Sequence, residues 1–256
     1  MPAPAYTHVR TARFIHHIHE PHRRGVPMSL RSLRMPLLML SLLLPALAAA
    51  QSGVDRDTER AQNATRVLAE IQMAPDRAIP HSLMQIAHAV AVIPNVIKAG
   101  LIFGGRFGEG LVSIKKPDGT WSDPAYIRLT GASFGFQAGV SSTDVILVFT
   151  NEDGVKRLIH GEFTIGADAS AAAGPVGRYA NASTNGHFDA AIYSYSRSRG
   201  LFAGVALDGA RIGIDNAADQ RVYGTNVTAR RVFEGQVKQV PPAIVAFRNK
   251  LEEYTQ

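Results

Sequence analysis

Tyrosine and arginine alternate with small residues over residues 188–199, which read FDAAIYSYSRSR. A period of two is typical of a β-strand, whose successive side chains point to opposite faces. Arginine binds phosphate through two parallel hydrogen bonds, and tyrosine suits a membrane interface because its apolar ring ends in a polar hydroxyl. The pattern therefore predicts a strand that packs through one face and presents the other to anionic head groups. The presented residues would be Asp189, Ala191, Tyr193, Tyr195, Arg197 and Arg199, and the packed ones Phe188, Ala190, Ile192, Ser194 and Ser196.

A second interpretation of the same face stays open. Opposite charges on neighbouring strands often pair, so the arginines would then form ion pairs with Asp208 or Asp215 on an adjacent strand. In that case the face is an ordinary solvated surface and binds no ligand.

Other cations extend the predicted binding surface. Arg178, Arg106 and Lys98 join Arg197 and Arg199 as candidate contacts to anionic lipid, and Lys115 and Lys116 are secondary candidates. Arg106 lies in a glycine run, residues 104–110, that lacks the Lys-Ser/Thr of a phosphate-binding P-loop. We predict a tight turn between strands there, whose backbone amides and arginine meet a lipid phosphate.

Several motifs resemble catalytic or metal sites, but their context argues against each. Gly131-Ala-Ser133-Phe-Gly135 fits the nucleophile-elbow pattern, with Asp144, Asp168 and His187 following in the hydrolase order, yet no helical periodicity follows the serine. Ser113-Ile-Lys-Lys116 satisfies S-x-x-K within an amphipathic strand and lacks the companion motifs. We expect Asp168 to cap a turn or pair with arginine. The four histidines after residue 50 form no ligand cluster, so we expect no enzyme, no metal and no cofactor.

The N-terminal 50 residues have the pattern of an export signal. A basic segment from Met28 precedes the apolar run MPLLMLSLLLPAL, and three alanines, residues 48–50, fit a cleavage site before Gln51. These 50 residues hold six of the 27 basic and one of the 21 acidic residues, so cleavage lowers the net charge from +6 to about +1. A nearly neutral domain disfavours nucleic acid as a partner. The chain has no cysteine, which excludes disulfides and a cysteine-linked lipid anchor.

Helices precede and follow a series of short strands, which predicts an α+β domain over residues 51–256. Its core would be an antiparallel, glycine-rich sheet, or a sandwich-like arrangement, with N-terminal helices and short C-terminal helices. The expected helices are residues 54–73, a segment from Pro80 to Pro94, residues 155–160 and 215–223, a short helix capped by Thr225, and one opened by Pro241. Strands are expected around an Asp118-Gly119 hairpin turn, at residues 131–139, at a buried central segment, residues 145–150, and at residues 188–207 and 210–214.

Three motifs resemble those of the SYLF domain family. The run from Tyr193 to Gly209, YSYSRSRGLFAGVALDG, is similar to the family's signature, and Ile165–Arg178 and Ile93–Gly110 are similar to two further segments. The resemblance covers about residues 60–255. It implies a lipid-binding domain, because eukaryotic members bind phosphoinositides and some bind or bundle actin, in chains that also carry SH3 or FYVE modules. A copy without those modules and with an export signal resembles the bacterial branch.

The sequence thus predicts an exported, non-enzymatic domain that binds anionic phospholipid or another amphiphile at the periplasmic or cell-envelope side of a membrane. The alternative is an envelope scaffold that binds protein partners, with actin binding expected only from the family. A serine hydrolase acting through Ser133 is a distant third.

Overall fold

A computed structural model describes residues 53–74, 79–100, 103–134, 139–161, 163–176, 188–198 and 201–255.

The first helix shows how apolar spacing determines packing. Helix α1, residues 53–72, buries Ala61, Ala64, Leu68 and Ile71 completely, so the predicted amphipathic helix is confirmed. The predicted leader, residues 1–50, lies outside the described residues, and the leader and the single domain over residues 51–256 stay predictions.

Nine strands form one sheet within the described residues. Their order across the sheet is β5-β9-β3-β2-β1-β4-β7-β6, and β8 also pairs with β7. All pairs are antiparallel except β6 with β7. The strands are β1 (Ala89–Gly100), β2 (Phe103–Ile114), β3 (Ala125–Phe134), β4 (Gly139–Phe149), β5 (Phe163–Thr164), β6 (Ala171–Ala173), β7 (Ile192–Ser198), β8 (Leu201–Gly204) and β9 (Ala210–Ile214).

Short helices complete the α+β architecture that the sequence predicted. They are α2 (His81–Gln85), α3 (Glu152–His160), α4 (Asn216–Tyr223), α5 (Ala229–Phe233) and α6 (Pro242–Thr255). The Asn151 side chain caps α3 by accepting from the Gly154 amide, and the Asp215 side chain caps α4 in the same way from Ala218. The predicted cap at Thr225 is wrong, since a turn occupies residues 224–227 and α5 follows Thr228. No helix in the described part of the chain has both the length and the hydropathy to cross a bilayer.

Both faces of the sheet are covered near its middle. Val90 and Val92 of β1 lie in a cluster with α1, α2, α4 and α6, whereas Ala89, Ala91 and Ile93 lie in a second cluster with α3 and α5. Strand β4 is likewise buried over residues 145–149, as predicted for a central strand. We call the α1 side the front face and the α3 side the back face.

The helix predicted from Pro80 towards Pro94 is largely wrong. Helix α2 ends at Gln85 and β1 begins at Ala89. The apolar run from Val90 fits a strand buried on both faces as well as a helix, and the two covered faces favour the strand. Pro94 lies where the pairing of β1 is irregular, next to Asn95 in the left-handed region at φ 51°.

The glycine run at residues 104–110 is a strand, so the predicted turn there is wrong. It belongs to β2, and its glycines let the neighbouring backbone of β1 approach closely. An ideal Cβ at Gly104 would overlap the carbonyl oxygen of Ala99, and one at Gly110 would overlap that of Val92. Side chains at these positions would force β1 and β2 apart.

Candidate functional site

The tyrosine face of β7 points into the core, so the predicted presentation of Tyr193 and Tyr195 is wrong. Tyr193 is 8% exposed and Tyr195 is fully buried, and both lie in the front cluster with Phe202 and Val148. Strand β7 lies between β4 on one side and β6 and β8 on the other, and its front side chains belong to the same apolar cluster as α1. Burial raises the pKa of Tyr195 well above its ordinary value. These two tyrosines are therefore packing residues.

Two of the segments that resemble the SYLF motifs fit together around Tyr195. An ideal Cβ at Gly174 would overlap the Tyr195 ring, and one at Gly204 would overlap the Gly174 carbonyl oxygen. The Tyr195 hydroxyl donates to the carbonyl of Pro175 at 3.3 Å. The Gly-Pro segment and the Tyr/Gly segment thus fit against each other, which gives these motifs a structural role.

Arg197 forms ion pairs inside the protein. Its guanidinium binds Glu70 of α1, lies 3.5 Å from Asp144 of β4 and sits 5.5 Å from the centre of the Phe202 ring. The open interpretation of internal pairing therefore holds for Arg197, although Glu70 and Asp144 replace the aspartates named from sequence. Its guanidinium is therefore paired with carboxylates of the protein itself and is not presented on an open strand face. Arg178 and Arg199 lie outside the described residues.

Lys98 and Arg106 are the two candidate cations that the fold brings together. They stand directly opposite each other on β1 and β2, on the back face. The Arg106 side chain lies over Gly131 of β3, because an ideal Cβ at Gly131 would be 3.3 Å from the Cγ of Arg106. Among the described residues, neither cation is within 4.0 Å of a carboxylate. The Nε of Arg106 is buried without a hydrogen-bond partner, and burial lowers the pKa of Arg106.

The front face of the same strand ends is apolar and exposed. Ile97 and Phe107 oppose each other and are 48% and 47% exposed, and Val140 of β4, opposite Ala99, is 78% exposed. We call residues 97–100, 104–107 and 139–142 the sheet end. The sheet end therefore has cations on its back face and apolar side chains on its front face.

A groove of about 220 Å³ joins the apolar front face to α1. The lining is apolar and charged: the sheet contributes Pro94, Asn95, Ile97, Phe107, Gly108 and Glu109, and α1 contributes Arg56, Glu59, Arg60 and Asn63. No motif in the sequence indicates this surface. The only signal was the alternation of apolar and basic residues at Ile97-Lys98 and Arg106-Phe107, which becomes meaningful once the register of β1 and β2 is known.

Buried charges attach α1 and α4 to the sheet. Arg60 donates to Asp215 at 3.1 Å, and Arg221 donates to Asp57 at 2.7 Å. The Tyr126 amide donates to Asp219, and burial is the main cause that raises the pKa of Asp219 to about 7. No motif in the sequence indicates this network, and the contacts of its members show a structural role.

The described residues of the motifs that resemble catalytic sites occupy positions or make contacts that stabilise the fold. Ser133 lies within β3, opposite Gly104, rather than at the strand-to-helix turn that an elbow requires. Ser113 is buried and donates to the Ser122 carbonyl at 2.6 Å. Asp168 accepts from the Thr164 amide at 2.7 Å and lies 3.8 Å from Arg157, so its predicted capping and pairing are confirmed. His187 lies outside the described residues. Among the described residues, no group of three or more histidine, aspartate or glutamate side chains could hold a metal ion.

The side chains of the secondary candidates Lys115 and Lys116 make different contacts in the structure. Lys115 donates to the carbonyls of Met84 and Gln85 and lies 5.4 Å from the centre of the Trp121 ring. Burial lowers the pKa of Lys115. Lys116 lies 3.7 Å from Asp118 at the mouth of a second hollow, which is far from the sheet end.

Comparison with known proteins identifies the family. Residues 130–254 match the Ysc84 family, described as "Las17-binding protein actin regulator". LAS seventeen-binding protein 3 of Saccharomyces cerevisiae is 37% identical over 172 residues, which is 66% of this chain and 37% of that protein. The chain belongs to the SYLF family of Ysc84-like proteins. Protein YSC84 of the same yeast is 40% identical over 173 residues, which is 66% of this SYLF chain and 36% of the relative.

A mammalian relative extends the similarity. SH3 domain-containing YSC84-like protein 1 of Mus musculus is 31% identical over 191 residues, which is 73% of this SYLF chain and 56% of the relative. The chain thus spans between about a third and just over half of the length of these curated relatives. The family description and the name of the first yeast relative are those of binding or regulatory proteins rather than enzymes.

Proposed function

We propose that this SYLF chain is a non-enzymatic binding module that engages anionic phospholipid surfaces through the sheet end. The observation that carries the proposal is the pairing of Lys98 with Arg106 without a neighbouring carboxylate in the described structure. Like charges placed directly opposite on adjacent strands repel each other. A phosphate between them would replace that repulsion with two attractive contacts, one of them a bidentate arginine contact.

The apolar front face supplies the second half of the proposal. Ile97 and Phe107 are each about half exposed, so inserting them into a bilayer interface would contribute roughly 1 kcal/mol each. Each cation near an anionic surface adds about 1 kcal/mol. An edge-on approach of the sheet end would place the apolar side chains among acyl groups and the cations among head groups. We expect reversible binding of moderate strength.

Vesicle flotation tests the proposal. The protein should float with vesicles that contain 30% anionic phospholipid and remain below neutral vesicles, and binding should weaken as salt shortens the Debye length. Lys98→Glu/Arg106→Glu should abolish flotation, whereas the charge-matched Arg231→Glu/Lys238→Glu, on exposed residues elsewhere, should not. Equal flotation of both double variants would refute the assignment of the site.

The apolar contribution has its own matched pair of variants. Phe107→Ser should reduce flotation several-fold, whereas Leu201→Ser, at an exposed leucine of β8, should leave it unchanged. Equal losses in the two variants would indicate that general hydrophobicity, and not the sheet end, determines binding.

Export to the cell envelope is part of the proposal and rests on the basic and apolar segments of residues 28–50. N-terminal sequencing of the protein isolated from its host should begin at Gln51. A mature protein that retains residues 35–47 would contradict export by signal cleavage.

A protein-binding function is the second candidate, and the family description as a Las17-binding actin regulator favours it. Sedimentation with actin filaments separates the two candidates. Under the lipid proposal the chain should stay in the supernatant. A variant that no longer floats with vesicles but still sediments with filaments would support the second candidate.

A further inference from the structure

A second concave site lies at the other end of the sheet. The hollow has a volume of about 430 Å³, within the range of about 300–1,000 Å³ typical of small-molecule sites. It is formed by the end of β2 and the turn after it, by α3 and by α5. Ile114 marks this end of β2, eight residues from Arg106, which corresponds to about 26 Å along the strand. The hollow and the sheet end are therefore separate surfaces.

The floor of the hollow is apolar. Ile114 and Ile159 are partly buried and pack against the back cluster, and Phe233 is 4% exposed. Pro117 closes one side from the turn after β2. These side chains offer a surface that suits an alkyl chain but gives no polar partner within the floor.

The rim is mainly cationic, and its cations differ in how well they are neutralised. Lys156 lies 2.9 Å from Glu152, and Lys116 lies 3.7 Å from the exposed Asp118. Arg230 forms no ion pair with any described residue, although it lines the hollow. His160 also lines the rim, and its Nδ1 contacts the carbonyl of Lys156. Arg230 is thus a rim cation without a carboxylate partner among the described residues, and Lys115, which donates to backbone carbonyls, and Lys116 also line the hollow.

We propose that this hollow binds a single-chain carboxylate amphiphile of the fatty-acid class. The alkyl chain would lie over Ile114, Ile159 and Phe233, and the carboxylate would accept hydrogen bonds from Arg230. A carboxylate fits better than a doubly charged phosphate because Glu234 also lies on the rim and would repel additional negative charge. The inference goes beyond surface binding, because the ligand enters as a single molecule from solution.

Isothermal titration with dodecanoate below its micelle concentration tests this site. The intact protein should bind one dodecanoate saturably, and dodecyl maltoside, with the same chain and a neutral head, at least tenfold more weakly. Arg230→Glu should weaken dodecanoate binding at least tenfold, since it removes a charge-assisted contact and adds a repulsive one. Arg231→Glu, one residue along the same helix and outside the lining, is the matched control and should bind like the wild type.

Three results would overturn the inference: no saturable binding of dodecanoate, equal affinity for dodecyl maltoside, or the same affinity in Arg230→Glu as in Arg231→Glu. Vesicle flotation distinguishes this failure from that of the proposed function. Arg230→Glu should float with anionic vesicles like the wild type. Loss of flotation in that variant would assign the hollow to the membrane surface and overturn the inference of a site for free amphiphile.

Discussion

Replacement of Gly174 by alanine tests the packing role that the structure gives to the signature motifs. Normal carbon–carbon contacts are about 3.5–4.0 Å, and an ideal Cβ at Gly174 would overlap the fully buried Tyr195 ring by more than 1 Å. The ring is fully buried in the front cluster, so any shift of the ring displaces other core side chains. Overpacking costs about 1–3 kcal/mol, and displacing the ring also threatens the hydrogen bond to Pro175, worth about 1 kcal/mol.

We therefore expect Gly174→Ala to lower the free energy of unfolding by about 2–4 kcal/mol and Tm by roughly 4–16 °C. Urea unfolding followed by the fluorescence of Trp121, the single and buried tryptophan, measures the change. Gly139→Ala is the matched control, since no heavy atom lies within 4 Å of its ideal Cβ. An unfolding free energy for Gly174→Ala within about 0.5 kcal/mol of the control would refute the packing role.

Two further predictions concern buried charge. Burial raises the folded-state pKa of Asp219 to about 7, so the folded protein binds this proton more tightly than the unfolded chain does. The free energy of unfolding of the wild type should therefore fall as the pH rises from about 4 to about 7, by up to about 1.4 kcal/mol per pH unit. Asp219→Asn should remove that loss. Urea unfolding at pH 5 and pH 7 measures it, and parallel pH dependence in both proteins would contradict the assignment. Arg197→Ala and Glu70→Ala should show a coupling of about 1 kcal/mol in a double-mutant cycle, whereas a coupling near zero would make their contact irrelevant to stability.

Elements with one apolar face and a clear cap could be predicted from the sequence. The spacing of Ala64, Leu68 and Ile71 identified α1, and Asp215 with Gly224 bounded α4. These signals are local, so they do not depend on which elements become neighbours. The apolar run of β4 was similarly clear, because a short run of this kind between turn residues fits a central strand.

Elements covered on both sides could not be predicted in the same way. The run from Val90 is consistent with a helix or a strand, and only the neighbouring strands decide in favour of β1. The alternation around Tyr193 and Tyr195 correctly defined two faces, but both faces of β7 are covered in the fold. A period of two gives no information on how many layers pack against a strand.

The candidate site was predicted in part. The sequence indicates Lys98 and Arg106 individually, but their opposition depends on the irregular pairing of β1 near Pro94, which shifts the register. The alternation around Tyr193 and Tyr195 predicts Arg197 as a surface contact, whereas its partner Glu70 is 127 residues away in sequence. Contacts of this separation arise from the topology and leave no local pattern.

A fluorescent label at Phe107 tests most directly whether the sheet end meets the membrane. The chain has no cysteine, so Phe107→Cys and Leu201→Cys each create one site for an environment-sensitive nitrobenzoxadiazole label. On addition of anionic vesicles, the label at residue 107 should shift to shorter wavelength and gain intensity, and the label at residue 201 should not change. A response at residue 201 with none at residue 107 would contradict the assignment of the sheet end as the membrane-binding surface.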